Sequence, residues 1–422
     1  MKIENLRAWE ILDSRGRPTV LAEVRLHGGA VGLASAPSGA SSGQAEAHEL
    51  RDGDRNRYGG LGCRKAVGHV NEQIAGALVG NSFASQASLD EALLSLDGST
   101  NKSNLGANAL LAVSLAFSKA AANFEEKPLY QYYAEQLGIA EMQLPRPTIN
   151  LFSGGLHAGG QVPIQDVLVV PASAQSIDEA LSMTFNVFYT AARLAQEKYG
   201  YRLLRADEGG LAPPFENANE MLAAAVKAIE TAGYRPGEDV SLAVDVASSH
   251  FYKEGSYVLG NPPLSSEEMI DVVAGWVNDC PIVSVEDGLA EEDWASWTVL
   301  KEKIEGKALV LGDDLLCTNP TRIDKAISLD AADALLLKVN QIGTLSEAGE
   351  ACKKARAAGW RVTVSARSGE TEDSWLADLA VGWAGNQIKV GSITQSERLA
   401  KYNRLLVIEA ETGLDLEAWP SR

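Results

Sequence analysis

From about residue 139 onward, short apolar runs alternate with amphipathic stretches at a regular pace, and this alternation constrains the chain more than any other feature. The runs are TINLF, VLVVP, SLAVDV, PIVSVED, ALVLGDD, ALLLKVN, RVTVSAR and NQIKVG. Between them lie SIDEALSMTFNVFYTAARLAQEK, NEMLAAAVKAIETAG and LSEAGEACKKARAAG, with apolar residues at helical spacing. Strands alternating with helices predict parallel βα units. About eight such units in about 280 residues fit a closed (β/α)8 barrel better than an open sheet. No GxGxxG follows the first strand, so a dinucleotide-binding fold has little support. The first part of the chain differs. LRAWEILD, TVLAEVRLHG and AVGLASAP alternate in strand fashion and predict a meander, followed by a Gly- and Ser-rich loop over 37–43. From about Arg64 to Gln136 the pattern is helical and Ala-rich. The expected fold class is α/β, with an α+β domain over 1–138 and a barrel over 139–422.

What ends each barrel run is informative. SLAV ends in Asp245, IVSV in Glu286 and Asp287, and LVLG in Asp313 and Asp314. LLL ends in Lys338, VTVSA is followed by Arg367 and Ser368, and NQI ends in Lys389. In a barrel these ends converge on one face, where active sites are found. A lone Asp after a strand is more often a helix cap or surface charge. Six polar ends in series are hard to explain that way. Three carboxylates with no cysteine or histidine beside them make a hard oxygen cage, which favours Mg²⁺ or Mn²⁺ over zinc. Lys338 and Lys389 are expected to face that metal, and a nearby cation lowers a lysine's pKa and makes it a usable base. Arg367 and Ser368 can hold a phosphate or carboxylate. Together these groups suit proton abstraction from carbon beside a carboxylate. In DEGG, Glu208 adds another acid between a strand-like YRLLRA and flanking glycines, and His157 sits in the glycine-rich GGLHAGG. Taken alone, DEGG reads by default as a plain turn, and a lone His is more often structural, although glycines on both sides suit a loop that closes over a ligand.

Composition narrows the partners. Acidic residues outnumber basic ones by 56 to 37, a formal charge of −19, which argues against nucleic-acid or anionic-membrane binding. The N-terminal residues form no apolar h-region, and no run reaches the roughly 18 apolar residues that span a bilayer. Four cysteines without CxxC spacing read as buried thiols in a reducing, cytoplasmic setting. Of the five histidines, none lies beyond His250.

With these residues laid out, the chain resembles the enolase (phosphopyruvate hydratase) family from end to end. The motifs are LDSRGRPTV, PSGASSG, ELRDGD, NLGANALLAVSLA, DEGGLAP, SVEDGL, LGDDL, LLKVNQIGTLSE, RSGETED, NQIKVGS and SERLAKYNRLLVIE. The resemblance implies a modified (β/α)8 TIM-type barrel of the enolase type, its second strand antiparallel, under an N-terminal α+β capping domain. It implies that Asp245, Glu286 and Asp313 hold the first of two Mg²⁺, and that Ser41 reaches the second together with the substrate phosphate. Lys338 matches the base that removes the C2 proton, and Glu208 the acid that helps the C3 hydroxyl leave. Lys389 matches the lysine on the substrate carboxylate, Arg367 and Ser368 the phosphate holders, and His157 the loop histidine. Asp166 stands where the family has a catalytic Glu. A small anionic substrate, a place in glycolysis and a homodimer are implied likewise.

The departures are local. Where typical enolases read Ser-His-Arg-Ser-Gly-Glu, this chain has Ser365-Ala366-Arg367-Ser368-Gly369-Glu370. Gln165-Asp166-Val167 stands in place of Gln-Glu-Phe, His250 replaces a familiar Glu, and Val390 a usual Thr. Three readings stand open: a Mg²⁺-dependent hydro-lyase converting 2-phosphoglycerate to phosphoenolpyruvate; a divergent lyase on a related phospho- or phosphono-carboxylate, suggested by Ala366 and Asp166; and an inactive scaffold, against which the retained charges speak.

Overall fold

The computed structural model describes residues 1–40, 43–200, 202 and 204–420. Strands β1 (Ile3–Leu12), β2 (Pro18–Leu26) and β3 (Val31–Ser35) form the expected antiparallel meander. Helix Ala107–Phe124 lies across β2 and β3, buried along most of its length, because its Ala- and Leu-rich sequence has apolar side chains on all faces. Helices Gln86–Asp97 and Leu129–Leu137 complete this layer.

The second part is a barrel. Its strands are β4 (Arg146–Pro147), β5 (Ile149–Ser153), β6 (Asp166–Val170) and β7 (Ser241–Asp245). A small hairpin, β8 (Tyr252–Lys253) and β9 (Ser256–Tyr257), interrupts the series. Then come β10 (Ile282–Glu286), β11 (Leu309–Gly312), β12 (Ala334–Leu337), β13 (Arg361–Ser365) and β14 (Gln387–Lys389). All the apolar runs named from the sequence form these strands. The order is β4-β14-β13-β12-β11-β10-β7-β6-β5. β4 and β5 are one run with a break at Thr148: it pairs with β14 at one end and with β6 at the other, which closes the sheet. β6 is antiparallel to both neighbours and the rest are parallel, so the modified barrel is the one the resemblance implies.

One local expectation fails. Among the described residues of YRLLRA no strand forms: Arg202 and Leu204 have no regular structure, and Arg205 makes a single bridge to Leu211. The barrel is already closed, so this segment has no unpaired edge to join. No helix among the described residues is long and apolar enough to cross a membrane.

Candidate active site

Parallel pairing sets the depth of each strand end. Glu286 is in register with Asp245 on one side and Leu311 on the other, and Ser365 with Lys389. Asp313, Lys338 and Arg367 follow their strands by one or two residues. All therefore gather at one mouth. The reversed strand β6 enters the barrel there, so its first residue, Asp166, lies beside Asp245.

A cavity of about 30 Å³ opens at this mouth. Glu208, His157, Asp245, Asp313, Lys338 and Lys389 line it, together with Ala366, Arg367 and Ser368. Asp166 and Glu286 are buried behind the wall. Ser41 lies outside the described residues, although Ala40 beside it reaches the cavity.

The charges are cross-paired. Lys389 Nζ donates to Asp245 Oδ2 at 2.8 Å and to Glu286 Oε2 at 2.6 Å. Lys338 Nζ donates to Asp313 Oδ2 at 2.5 Å, and Gln341 Nε2 to Asp313 Oδ1 at 2.7 Å. Burial alone opposes the charge on Lys389, but Asp245 and Glu286 outweigh it and hold the pKa well above the ordinary lysine value. Burial likewise opposes the Lys338 charge, and Asp313 reverses the balance, so its pKa also lies high. This differs from the lowered values expected beside a metal, because here carboxylates are the nearest charges. Against the cost of burial, Lys389 draws Asp245 down to about 2. Burial and the Asp245 charge push Glu286 well up.

Glu286 Oε1 is buried without a hydrogen-bond partner in the structure. An orphaned carboxylate oxygen beside Asp245 and Asp313, with oxygen the only donor type, suits a hard divalent cation. The donor chemistry of these residues thus fits such a cation. Among the described residues, the triplets whose ligand atoms all lie within 4.8 Å of one another are His157, Asp166 and Glu208, and Asp287, Asp313 and Asp314; the expected set Asp245, Glu286 and Asp313 is not drawn together that closely. In the second, Asp287 accepts the backbone N–H groups of Asp313 (3.0 Å) and Asp314 (2.8 Å), which explains its position as a clamp on the turn after β11.

Next to this group, beside β6, His157 Nδ1 lies 2.7 Å from Asp166 Oδ2, and its Nε2 lies 3.5 Å from Glu208 Oε1. Ser153 Oγ donates to Asp166 Oδ1 at 2.5 Å, and Asn150 Nδ2 to Glu208 Oε2 at 3.1 Å. The glycines of DEGG are needed for this. A Cβ on Gly210 would stand 2.4 Å from Ser153 Oγ, and Gly209 has φ +87° with Thr394 Oγ1 2.7 Å from its Cβ position. Burial disfavours the imidazolium, but Glu208 and Asp166 together raise His157 to about 9. Burial also works against charge on Glu208, yet His157 and then Arg398 bring it down to about 2. Glu208 is thus an anion at neutral pH.

After β13, Arg367 donates to both Glu46 oxygens (3.1 and 3.3 Å) and to Asn340 Oδ1 (3.0 Å). Ser368 Oγ accepts from Arg15 at 2.9 Å, and Arg15 also donates to the carbonyls of Ser38 and Gly39 at 3.1 Å each. The first domain thus supplies Arg15 and Glu46 to a mouth built by the second.

A family model described as Enolase, C-terminal TIM barrel domain, matches residues 141–417, and one described as Enolase, N-terminal domain, matches residues 3–133. The chain belongs to the enolase family. That places it with the lyases of the enolase superfamily, and every enolase-like motif residue singled out from the sequence, Ser41 apart, lies at or just behind the cavity wall.

The departures from typical enolases lie at the same mouth. Ala366 lines the cavity, so the missing imidazole leaves its space there. His250 lines it too, its Nδ1 buried without a partner, and burial lowers its pKa. Sequence reasoning passed over Arg15, Glu46, Asn340, Gln165 and Ser153. Gln165 Nε2 donates to Asp245 Oδ2 at 3.1 Å. The Arg in LDSRGRPTV was visible as a motif letter, but nothing in its spacing tied it to Ser368, which is 353 residues away.

Proposed function

We propose that the protein is a Mg²⁺-dependent lyase of the enolase type. It abstracts the α-proton of a small phosphorylated carboxylate and eliminates the β-hydroxyl as water, converting 2-phosphoglycerate to phosphoenolpyruvate. The observation that carries this reading is the pair Lys338 and Lys389, each bonded to carboxylates at one mouth, with Arg367, Ser368, Glu208 and His157 lining the same cavity. Asp245, Glu286 and Asp313 would hold Mg²⁺, which when bound supplies positive charge opposite the dianion that proton loss creates. Lys389 neutralises the substrate carboxylate from the protein side. Arg367 and Ser368 orient the phosphate, and Lys338, once neutral, takes the proton from C2.

The purified protein with 2-phosphoglycerate and Mg²⁺ should develop enol-phosphate absorbance. Absence of turnover and of α-proton exchange with solvent would defeat the proposal. A second reading, a lyase for a related phosphono-carboxylate, is favoured by Ala366 on the cavity wall: it predicts Mg²⁺-dependent α-proton exchange on such a phosphonate without turnover of 2-phosphoglycerate. Two Mg²⁺ per site, a cytoplasmic homodimer and a domain boundary near residue 138 belong to the same reading, and sedimentation and metal titration test the first two.

A further inference from the structure

Helix Ser396–Thr412 packs onto the molecule with Arg398, Lys401, Tyr402, Leu405 and Ile408 on its buried face. An apolar stripe is expected at those positions, yet two of them hold cations, Arg398 and Lys401, each 0% exposed. A buried charge is costly unless it is bonded. Here the partners are mostly backbone carbonyls of the segment that carries Arg367 and Ser368. Arg398 Nη1 donates to the carbonyl of Arg367 at 2.7 Å and, at 3.4 Å, to that of Val390, while Nη2 donates to the carbonyl of Ser368. Arg398 Nε lies 3.2 Å from Glu397 Oε1. Lys401 Nζ donates to the carbonyl of Thr371 at 2.7 Å and pairs with Glu370 Oε2 at 3.0 Å.

These contacts take over where the sheet stops. β13 and β14 pair in register as far as Ser365 and Lys389, and the Ala366 N–H donates to the Lys389 carbonyl at 2.9 Å. Beyond that bond the strand pairing ends, and the fork of Arg398 spans the gap. It holds two consecutive carbonyls, which orients the peptides on both sides of Ser368, and it reaches Val390, the neighbour of Lys389. Residue 367 is pinned at its other end as well: its N–H donates to Glu370 Oε1 at 3.1 Å, on the carboxylate that Lys401 holds. Gly391 makes room for the fork, since it has φ +105° and a Cβ there would stand 2.8 Å from Arg398 Cδ. Arg398 itself does not line the cavity, so it acts through the loop.

We propose that Arg398 is a positioning residue that sets the separation between Arg367 and Ser368 on one side and Lys389 on the other, and so makes the site selective for one spacing between the two anionic groups of its substrate. The inference rests on the proposed reading of the site, in which Arg367 and Ser368 take the phosphate and Lys389 the carboxylate. The substrate of that reading carries its phosphate on the carbon next to the carboxylate. With the phosphate one carbon further along, both groups can be seated only if the loop moves, and the fork of Arg398 resists that movement. A lysine at this position would keep the positive charge but lose the fork, because an ammonium is a point charge on a flexible stem and cannot hold consecutive carbonyls in one plane.

Steady-state kinetics with Mg²⁺ test this by giving the KM for 2-phosphoglycerate and the inhibition constant of its positional isomer 3-phosphoglycerate. In Arg398→Lys the KM should rise at least about tenfold with kcat within about threefold of the parent, while the inhibition constant of the isomer moves less than about twofold. The preference for the closer spacing should therefore shrink by about fivefold or more. Ser14→Ala removes a 3.2 Å hydrogen bond from the first domain to the same Ser368 carbonyl, and should shift the preference in the same direction by less. An unchanged preference in folded Arg398→Lys, with far-UV circular dichroism like the parent's, overturns this inference and leaves the general reading standing. If Arg398→Lys does not fold, Ser14→Ala decides by the same ratio. Absence of 2-phosphoglycerate turnover in the parent protein overturns the general reading, and this inference with it.

Discussion

At the scale of single residues, the site is a set of buried charges whose states are fixed by their immediate neighbours. Lys338 has one carboxylate partner, Asp313, and lies against the cavity. Lys338→Ala should cut α-proton exchange by about 10²–10⁴-fold with little effect on substrate binding, as measured by single-turnover exchange; unchanged exchange would remove Lys338 as base. Ala366 poses the opposite question, since here a group is missing. If the missing imidazole limits the ordinary reaction, Ala366→His should raise 2-phosphoglycerate turnover by up to about 10²-fold. No gain would direct attention to a different substrate. These identities were legible in the sequence because strand ends are punctuated by chemistry. The pairings were not: that Lys389 bridges Asp245 and Glu286, and that Glu46 lies on Arg367, depends on side chains meeting across strands and domains.

At the scale of elements, the reversed strand is decisive. A rule that reads the C-terminal ends of parallel strands finds Asp245, Glu286, Asp313, Lys338 and Lys389, but passes over Asp166, which begins its strand. Only the resemblance brought Asp166 in, because an antiparallel strand presents its first residue where its neighbours present their last. Helix Gln86–Asp97 shows a different coupling. Its Asp90 accepts the backbone N–H and hydroxyl of Ser346 (2.9 and 2.6 Å), and so holds the start of helix Leu345–Ala357 against the first domain. Burial raises Asp90 to about 6 in spite of these bonds. Because the folded value exceeds the unfolded one, the folded state binds this proton more tightly. The contribution is fully present below about pH 4 and is lost as pH rises through about 6, a change of about 2–3 kcal/mol. Asp90→Asn should flatten the pH dependence of the urea midpoint between those values. An unaltered slope would show that Asp90 is ionised throughout.

At the scale of the molecule, two ends of the barrel are closed by different parts of the chain. The mouth is covered by the first domain, through Arg15 on Ser368, the Ser38–Gly369 bridge and the Lys119–Asp373 pair at 2.5 Å. The other end is filled by Trp419, which packs with Leu168, Val170, Ala243 and Val283. Val170 ends the reversed strand and Val283 lies near the start of β10, so this cluster lies away from the site. Trp419→Ala should cost about 3–5 kcal/mol of stability, read as a lower denaturation midpoint, while kcat at low temperature stays near the parent value. Loss of activity in a fully folded variant would show that the two ends are coupled.

The sequence by itself determined the element series, the barrel class and the identity of the residues at its mouth, because hydrophobic period and strand-end chemistry are local properties of the chain. Tertiary structure alone decided which of those residues meet. Packing of the first domain over the barrel mouth carries Arg15 and Ser368, 353 positions apart, into one hydrogen bond. Burial, together with the carboxylates brought near, then shifts the proton affinities: upward at Lys338 and Lys389, and downward at Glu208 beside His157. Charge state depends on desolvation and on distances of a few ångströms, and neither is written in the spacing of a linear motif.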